Sequence, residues 1–453
     1  MKKGAKILFF ANTEHNADCA REHLAAIQTE SAHHWFVVNS LTNRMAHRID
    51  LSNFDAVGFH YSIHPHERYY CSPELKENVA SFPGVVFQFL QDEYQNVGQT
   101  SRAMAEIGTD VLFTIVKPEL HYQAYNDPAL NEMRRVTVMA GYAPRPLSEP
   151  VFVPLSDRPL DLFYRSRVCP LCAGRLGYEK SLIAREVARR APEYGLKVDV
   201  SVREEDRIYG EDWTRALSSC RATLGSESGA SIWDWDGSIE ERIDRELGKH
   251  PYLSFEELFE RVMKPHDGKI TYSSISPRIF EAAALKTPQI LFPGWYNGLI
   301  KPGVHYLQLE RDFSNFDKIV SNLRNDDLLN EIANNAYRDL IHSEQYTEKE
   351  LGLLVNKVLT EELSKKEQVA NSSISEAERE LDRVGRSYPL QNLYQNIRAE
   401  LQLGYDQLTK ICANPRYRGM AKFGRIFELL KRYLTHLQPR IGKSLQPLRG
   451  KTA

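Results

Sequence analysis

Short apolar runs alternate with amphipathic segments through the first 120 residues of the chain. The runs are rich in β-branched and aromatic residues, and about 15 to 25 residues separate one from the next. They occupy residues 6–10, 35–39, 56–61, 85–90 and 111–116. Buried strands that alternate with helices at this spacing are typical of βαβ units. The pattern therefore predicts a parallel sheet with helices on both faces.

A second series of apolar runs follows a proline-rich segment near residue 150. It predicts further strands at residues 161–164, 198–202, 222–224 and 289–292, and helices at 179–190 and 277–285. From about residue 327 the sequence turns helical, and prolines interrupt the helical pattern beyond residue 380. We therefore predict an α/β protein with two Rossmann-like domains facing across a cleft and a C-terminal helical appendage. The predicted domains are residues 1–150, 151–363 and 364–453.

The composition is that of a folded chain with more than one domain. Of the 453 residues, 42% are hydrophobic and 26% are charged. Six cysteines in a chain of this length indicate a reduced, cytoplasmic protein rather than one held by disulfides. No apolar run reaches the roughly 18 residues of a membrane-spanning helix, so none is predicted.

The charges are distributed unevenly along the chain. Residues 415–453 hold ten basic side chains and one acidic one, while the other 414 residues hold 48 basic and 59 acidic ones. The net charge of −2 is therefore the sum of +9 and −11. Apolar residues recur every three or four positions in the basic segment, from Met420 to Leu437.

Such a basic amphipathic helix can bind an anionic membrane surface, the acidic body of the protein or a second subunit. The sequence thus leaves open a peripheral position on the inner face of the cell membrane and an oligomeric state. Nucleic acid is not predicted as a partner, because no RNA-binding motif surrounds the two tyrosines of the segment.

The cofactor motifs of α/β proteins are missing from the sequence. The exit from the first predicted strand, residues 11–16, has no GxGxxG, so NAD or FAD is not expected there. No Walker lysine loop occurs either. Cys169 and Cys172 form one CxxC without a second pair of ligands nearby, which favours ordinary thiols over a zinc site.

The segment around residue 277 has features of an anion-binding helix start. Ser276 is a natural N-cap and Pro277 suits the first helical position. The helix N-terminus would offer amides and a positive dipole end to a phosphate, with Arg278 in its first turn. Glu281 could accept hydrogen bonds from two ribose hydroxyls. The alternative is an ordinary capped helix with a surface arginine and glutamate.

Residues 278–291, the segment Gly303-Val-His-Tyr-Leu and residues 326–346 together resemble the donor half of group 1 glycosyltransferases, especially the CgeB-like branch. The resemblance covers about residues 161–351. It implies a GT-B enzyme that transfers a sugar from a nucleoside diphosphate to a hydroxyl acceptor, with no metal ion or other cofactor. Under this resemblance Glu281 falls where the family has its ribose-binding glutamate.

The sequence departs from the family pattern at one position. Family 4 members have another glutamate eight residues before the ribose-binding one, and here that position is Ser273. The loop around Glu227 resembles the missing motif, which implies an insertion of 46 residues over roughly 231–272. We expect Glu227 and the Gly229 backbone to face the donor sugar or its phosphates; the alternative is a solvated loop glutamate. Ser238 is predicted to begin a helix in the insertion through a capping box.

Two further groups of residues complete the predicted donor site. In the resembling family a basic pair beside the first strand of the donor domain neutralises the diphosphate, and Arg167 and Lys180 are the first candidates here, followed by Arg165. The alternative is that some of them are solvated surface charges. Trp233-Asp-Trp-Asp236 could bind a sugar, but it could also form a turn with buried tryptophans.

The first domain contains candidates for the acceptor side. Asp92 and Glu93 follow a predicted strand, and one of them could be the general base of an inverting enzyme, with His15 as the alternative. Eight of the 14 histidines precede residue 67 and are read as surface or acceptor-binding residues. The expected acceptor is a glycan or a lipid-linked glycan of the bacterial envelope. A nucleotide-sugar epimerase and a non-catalytic sugar-binding scaffold remain the alternative functions.

Overall fold

The protein is described from a computed structural model, which covers residues 4–14, 18–144, 152–367, 369–370, 372–414, 425–427 and 429. The first domain is built on a six-stranded parallel sheet in the order β2-β1-β3-β4-β5-β6. Its elements in chain order are β1 (Lys6–Phe10), α1 (Asp18–Thr29), β2 (His34–Val38), β3 (Ala56–Phe59), α2 (Pro73–Ala80), β4 (Val85–Phe89), α3 (Val97–Glu106), β5 (Val111–Thr114), α4 (His121–Ala124) and β6 (Arg134–Thr137).

The five strands predicted for this domain are present, with ends shifted by at most two residues. Ser72 caps α2 as expected, accepting a hydrogen bond from the Leu75 amide at 3.2 Å. Strand β6 was not predicted, because it begins with two arginines and is only four residues long. It is recruited by pairing with β5 rather than by its own hydrophobicity.

The second sheet has five parallel strands in the order β13-β12-β9-β7-β8, and a short hairpin of β10 and β11 stands beside it. The elements of this half are β7 (Leu160–Arg165), α5 (Gly174–Arg190), β8 (Val198–Ser201), α6 (Gly210–Ser218), β9 (Cys220–Gly225), β10 (Ser228–Ala230), α7 (Ser238–Lys249), α8 (Phe255–Leu258), β11 (Tyr272–Ser274), α9 (Pro277–Ala284), β12 (Gln289–Leu291), β13 (Leu307–Gln308), α10 (Phe316–Leu323) and α11 (Asp326–Ala336).

The β10–β11 hairpin encloses residues 231–271, which agrees with the predicted insertion. Gly229 lies opposite Ser273 in the antiparallel pair and has a φ of +126°. A Cβ at this position would lie 1.8 Å from the Tyr272 carbonyl oxygen, so only glycine fits. The chain therefore leaves the second domain and returns to it at adjacent positions.

Helix α7 begins differently from the prediction. Its N-cap is Gly237, and Ser238 is the first helical residue, so the predicted capping box was wrong. The Asp234 carboxylate accepts hydrogen bonds from the amides of Gly237, Ile239 and Glu240 at 3.1, 3.4 and 3.0 Å instead. A carboxylate next to a helix N-terminus also interacts favourably with the helix dipole.

The enclosed segment packs into the core of the first domain. Trp233, Ile239 and Ile243 join Phe89 and Phe113 in one buried cluster. Backbone hydrogen bonds also join the two segments, since the Asp234 amide donates to the Tyr94 carbonyl at 2.8 Å. Parts of the chain that belong to the second half of the sequence thus complete the first domain.

The helix after the second sheet also returns to the first domain. This helix, α12 (Glu348–Lys365), packs on α1, where a Cβ at Gly352 would lie 2.5 Å from the Ala26 carbonyl oxygen. Arg134 in β6 is paired with Glu361 and Glu362, each at 2.8 Å. The two domains are therefore joined by packing as well as by the chain connection near residue 150.

The appendage consists of α13 (Ile374–Ser387) and α14 (Pro389–Ala413) on the outer side of the first domain. Helix α14 docks through polar residues, because Asn392 and Asn396 both donate to the Thr42 carbonyl. Its apolar residues face outward: Leu390, Tyr394, Leu401 and Tyr405 are 67, 63, 58 and 65% exposed.

The predicted fold class is confirmed: two Rossmann-like α/β domains face each other across a cleft and carry a helical appendage. None of the helices in the described ranges has the length and apolar character needed to span a bilayer. The basic segment 415–453 lies almost entirely outside the described residues.

Candidate functional site

A cleft of about 380 Å³ lies between the carboxyl ends of the two sheets. The second domain contributes the ends of β7, β9 and β12 and the starts of α6 and α9, and the first domain contributes residues that include Gln91, Asp92, Tyr94 and Ala140. Eight predicted site residues line it: Asp92, Arg165, Arg167, Lys180, Gly229, Ser276, Arg278 and Glu281. Glu93 and Glu227 are not among the lining residues, and His15 lies outside the described part of the chain.

Arg167 and Lys180, hereafter the cation pair, reach the cleft from the end of β7 and the second turn of α5. Neither forms an ion pair with a carboxylate among the described residues. Burial lowers the pKa of Lys180, and the neighbouring Arg278 and Arg167 lower it further, while Cys169 and Asp92 act in the opposite direction. Cations that lack a protein partner in a cleft are disposed to bind an anion.

Arg165 is already engaged by the protein. Its guanidinium contacts the Asp199 carboxylate at 2.6 Å and donates to the Asp206 carbonyl at 3.0 Å. Its own carbonyl oxygen accepts a hydrogen bond from the Arg278 side chain. The structure therefore places Arg165 at the cleft wall as a residue that supports Arg278, with its charge neutralised by Asp199.

The helices α5 and α9 differ at their N-termini. In the first turn of α5, the Arg175 amide donates to the Asp267 carboxylate and the Leu176 amide donates to the Ser231 hydroxyl, both at 3.1 Å. At α9 the Ser276 side chain makes no capping hydrogen bond, although Ser276 is the N-cap as predicted. The start of α9 lines the cleft, so of these two helices it is α9 that presents its positive end there.

Glu281 is held at the edge of the cleft by an indole. Its Oε2 accepts a hydrogen bond from Trp213 Nε1 at 2.6 Å. The same tryptophan lies under the Arg278 guanidinium, 5.2 Å from its ring centroid. Trp213 thus orients both a carboxylate and a cation, a role that an aromatic residue in a short helix does not reveal in the sequence.

Asp92 and Glu93 are adjacent in sequence but have different surroundings. Solvent in the cleft reaches Asp92, yet the surrounding protein desolvates its carboxyl and raises its pKa, while Arg167 and Lys180 pull the pKa back down. No hydrogen bond joins Asp92 to any other described residue. Asp92 is therefore the carboxylate of the two that can meet a ligand.

Glu93 is 5% exposed and is satisfied by three hydroxyls. It accepts hydrogen bonds from Tyr125 at 2.6 Å, Tyr272 at 2.8 Å and Thr114 at 3.0 Å. Burial raises the pKa of Glu93, and the three hydroxyl donors oppose that rise. Its carboxylate ties the β10–β11 hairpin to the first domain and does not reach the cleft.

Glu227 also lies behind the cleft surface, contrary to the expectation that it faces the donor. It is 8% exposed and accepts a hydrogen bond from the Tyr296 amide at 2.9 Å. Its neighbours Ser226, Ser228 and Gly229 line the cleft in its place. The side chains at the end of β9 point to alternate sides, which a local motif does not disclose.

Trp233 and Asp234 belong to a turn and not to a sugar site. Trp233 is buried, and Asp234 is used by the start of α7. Among the described residues no group of three or more His, Cys, Asp or Glu side chains is placed to hold a metal ion. Residues 207–210 form a further wall of the cleft that the sequence analysis missed.

No protein-family model and no curated protein matches the sequence. Several solved structures are similar in fold at low identity. HepE of Anabaena in complex with UDP and glucose is 11% identical with a TM-score of 0.44, covering 80% of this chain and 100% of that one.

An alpha-glucosyltransferase in complex with UDP-glucose and DNA containing an abasic site is 10% identical with a TM-score of 0.45, covering 79% of this chain and 100% of that one. TarM is 12% identical with a TM-score of 0.41, covering 73% of this chain and 58% of TarM. These similarities concern the fold, so the chemistry of the cleft rests on its own residues.

Proposed function

We propose that the protein is a glycosyltransferase that moves a sugar from a nucleoside-diphosphate donor to a hydroxyl acceptor. The observation that carries this proposal is the cation pair, which faces the cleft beside the N-terminus of α9 and forms no ion pair with a carboxylate of the described residues. A diphosphate leaving group develops negative charge as its bond to the sugar breaks, and fixed cations stabilise that charge. Arginine and lysine would fill this role without a metal ion.

The remaining lining residues would hold the donor along the second domain. Ser276 and Arg278 at the start of α9 suit the phosphates, and Glu281 suits the ribose hydroxyls. The Gly229 backbone borders the same space, close to the sugar. This order follows the resemblance seen in the sequence, and it is supported by the fact that all four residues line the cleft.

Asp92 would face the acceptor from the first domain. If the reaction inverts the anomeric configuration, the acceptor oxygen attacks the anomeric carbon, its proton passes to Asp92, and the sugar–phosphate bond breaks. The raised pKa of Asp92 makes it a better base than an ordinary aspartate. A retaining reaction would not require this proton transfer to Asp92.

The biological setting is proposed from the sequence. A glycan or lipid-linked glycan acceptor in bacterial envelope polysaccharide synthesis would suit a cytoplasmic enzyme on the inner face of the membrane. The basic segment 415–453 would bind the anionic lipid surface, or alternatively a second subunit.

Nucleotide binding tests the proposal directly. UDP, GDP, ADP, CDP and dTDP are added singly to the full chain and the thermal midpoint is measured. We expect one of them to raise the midpoint, and we expect Lys180→Met to lose most of that shift because its ammonium contacts the diphosphate. Arg189→Gln is the matched control, since Arg189 lies at the far end of the same helix and its side chain is 60% exposed.

The sugar form of the nucleotide that binds is then incubated with and without acceptors. Nucleotide release that depends on a glycan supports transfer, an isomerised donor supports an epimerase, and binding without turnover supports a scaffold. Failure of every nucleotide to shift the midpoint would refute the proposed function.

A further inference from the structure

A small side pocket opens from the cleft on the side of the first domain. Its volume is about 40 Å³, enough for one hydroxyl or hydroxymethyl group. Gln91, Ala140, Pro277 and Glu281 border both the pocket and the cleft. The inner wall of the pocket is formed by His23 of α1 and Tyr61, which follows β3.

A chain of hydrogen bonds fixes the proton on each of two buried histidines. The Ser62 amide donates to His60 Nδ1 at 3.2 Å, and an N–H group can only donate, so this contact requires a bare His60 Nδ1. The Ser62 hydroxyl lies 2.8 Å from the same nitrogen; because it already accepts from the Asn12 amide at 3.0 Å, it can donate its own proton to His60 Nδ1. The proton of neutral His60 is therefore on Nε2, which lies 3.1 Å from His23 Nδ1. His23 Nδ1 accepts this hydrogen bond, and the proton of His23 is consequently on Nε2.

His23 lines the side pocket, and its Nε2–H group is the polar part of the ring that His60 leaves available. Its Nε2 has no hydrogen-bond acceptor within the described ranges, and the residue as a whole is 7% exposed. The rings of Tyr61 and Phe89 pack against it edge to face, each with its centroid 5.0 Å away. Burial lowers the pKa of His23 to about 3, so the imidazole is neutral at physiological pH.

His23 is therefore a donor and not a base at this position. Accepting a proton on Nε2 would require the opposite tautomer, which places a proton on His23 Nδ1 facing the N–H of His60. The reverse tautomer of His60 would turn an Nδ1–H group towards the Ser62 amide N–H, and that contact disfavours it. The ligand atom that His23 recognises must offer a lone pair, as a sugar hydroxyl oxygen does.

We propose that the side pocket is a subsite for the acceptor, in which His23 Nε2–H donates to a hydroxyl oxygen of the acceptor sugar. His60 and Ser62 are positioning residues that fix the tautomer of His23. The inference rests on the proposed function and adds to it the group that orients the acceptor. The donor sugar also carries hydroxyls, so the test separates the two sources.

The tautomers are measured first on the full chain with ¹⁵N-labelled histidine, using NMR spectra that correlate ring nitrogens with ring protons. The His23 signals are assigned by comparison with His23→Phe. We expect Nε2 to be protonated and Nδ1 to be bare on His23. A proton on His23 Nδ1 would overturn the proposal before any ligand is added.

Methyl glucoside, methyl galactoside and methyl mannoside are then titrated into the UDP-loaded protein. We expect at least one of them to shift the His23 Nε2–H signal and to bind at least tenfold more weakly to His23→Phe. His23→Gln should recover part of that affinity because its amide places an N–H near the lost Nε2. His34→Phe, at an exposed position on β2, is the control and should bind as the wild type does.

A hydroxyl of the acceptor sugar and a hydroxyl of the donor sugar would give different results in these titrations. If His23→Phe weakens UDP-glucose binding as much as glycoside binding, the pocket holds the donor sugar and the proposal is wrong. If none of the three glycosides moves the His23 signal while UDP binds, the acceptor subsite is refuted and the donor site stands. If no nucleotide binds, the proposed function fails and the acceptor role fails with it.

Discussion

The surface of the cleft and the layer directly behind it use ionisable side chains in different ways. At the surface, the side chains of Arg167, Lys180 and Asp92 make no hydrogen bond or ion pair with the other described residues. In the layer behind, Glu93 accepts from three hydroxyls and Asp234 accepts from three amides. A charged group whose hydrogen bonds are complete supports the fold, whereas one without partners is available to a ligand.

Replacing Asp92, whose carboxylate has no hydrogen-bond partner among the described residues, should produce the largest change in kcat. Asp92→Asn keeps the size of the side chain and removes the proton acceptor, so we expect kcat with the best donor and acceptor to fall by about 10²-fold or more if the enzyme inverts. Because the pKa of Asp92 is raised, the wild-type rate should fall as the pH drops through a value above that of an ordinary aspartate. This fall in rate at low pH should be absent from the pH–rate profile of the variant.

The thermal midpoint of Asp92→Asn serves as its control and should match that of the wild type. A variant with normal turnover would remove Asp92 as a base, and it would be compatible with a retaining mechanism.

Replacing Glu93, whose carboxylate is fully hydrogen-bonded, should instead lower the free energy of unfolding, by about 2 kcal/mol. Glu93→Gln replaces one carboxylate oxygen with an amide nitrogen, so either the Tyr272 hydroxyl at Oε2 or the Tyr125 and Thr114 hydroxyls at Oε1 would face a donor. Unsatisfied buried groups cost about 1–3 kcal/mol. Denaturant unfolding gives the free energy, and nucleotide affinity should be unchanged. Equal stability of the variant and the wild type would contradict the structural role of Glu93.

The contribution of Glu93 to the free energy of unfolding should depend on pH in a direction that follows from its pKa. The pKa of Glu93 is higher in the folded protein than in the unfolded chain, so the folded state binds the proton more tightly. Stability contributed by the protonated carboxyl is present below the unfolded pKa and is lost as the pH rises through the folded pKa. Glu93→Gln should lack this component.

The smallest effect is expected at the start of α5. Asp267→Ala removes the carboxylate that accepts from the Arg175 amide, and loss of such a cap costs about 1 kcal/mol. The affinity for the nucleotide should not change, because the phosphate end is assigned to α9. A clear gain or loss of nucleotide affinity would show that α5 also takes part.

The sequence predicted the sheets better than it predicted the directions of side chains. Strands such as β1 and β4 are short, mostly apolar runs rich in β-branched and aromatic residues, and this composition identifies them without tertiary information. Whether Asp92 or Glu93 faces the cleft depends on the pleat at the end of β4 and on Tyr272, which is 179 residues away from Glu93. No local pattern contains that information.

The side-chain positions of Glu227 and His23 also depend on contacts that no local sequence pattern contains. Glu227 was assigned from a loop motif, but the structure turns it towards Tyr296 and leaves its neighbours at the cleft. His23 and His60 are 37 residues apart, and only the packing of α1 beside β3 brings their rings together. By contrast, Ser276 and Arg278 were found from the sequence because a helix start has a local signature.

The β10–β11 hairpin has a mechanical consequence for any reaction in this cleft. The hairpin is fastened to the first domain, because Tyr272 donates to Glu93 at 2.8 Å and the Ala140 amide donates to the Ser274 hydroxyl at 3.0 Å. If the two walls of the cleft separate during turnover, these bonds hold the hairpin to the first wall. The hairpin would then travel with the first domain. The bending would fall on the segments that connect the hairpin to the second domain, residues 225–228 before it and 275–276 after it, together with the other connections between the two domains.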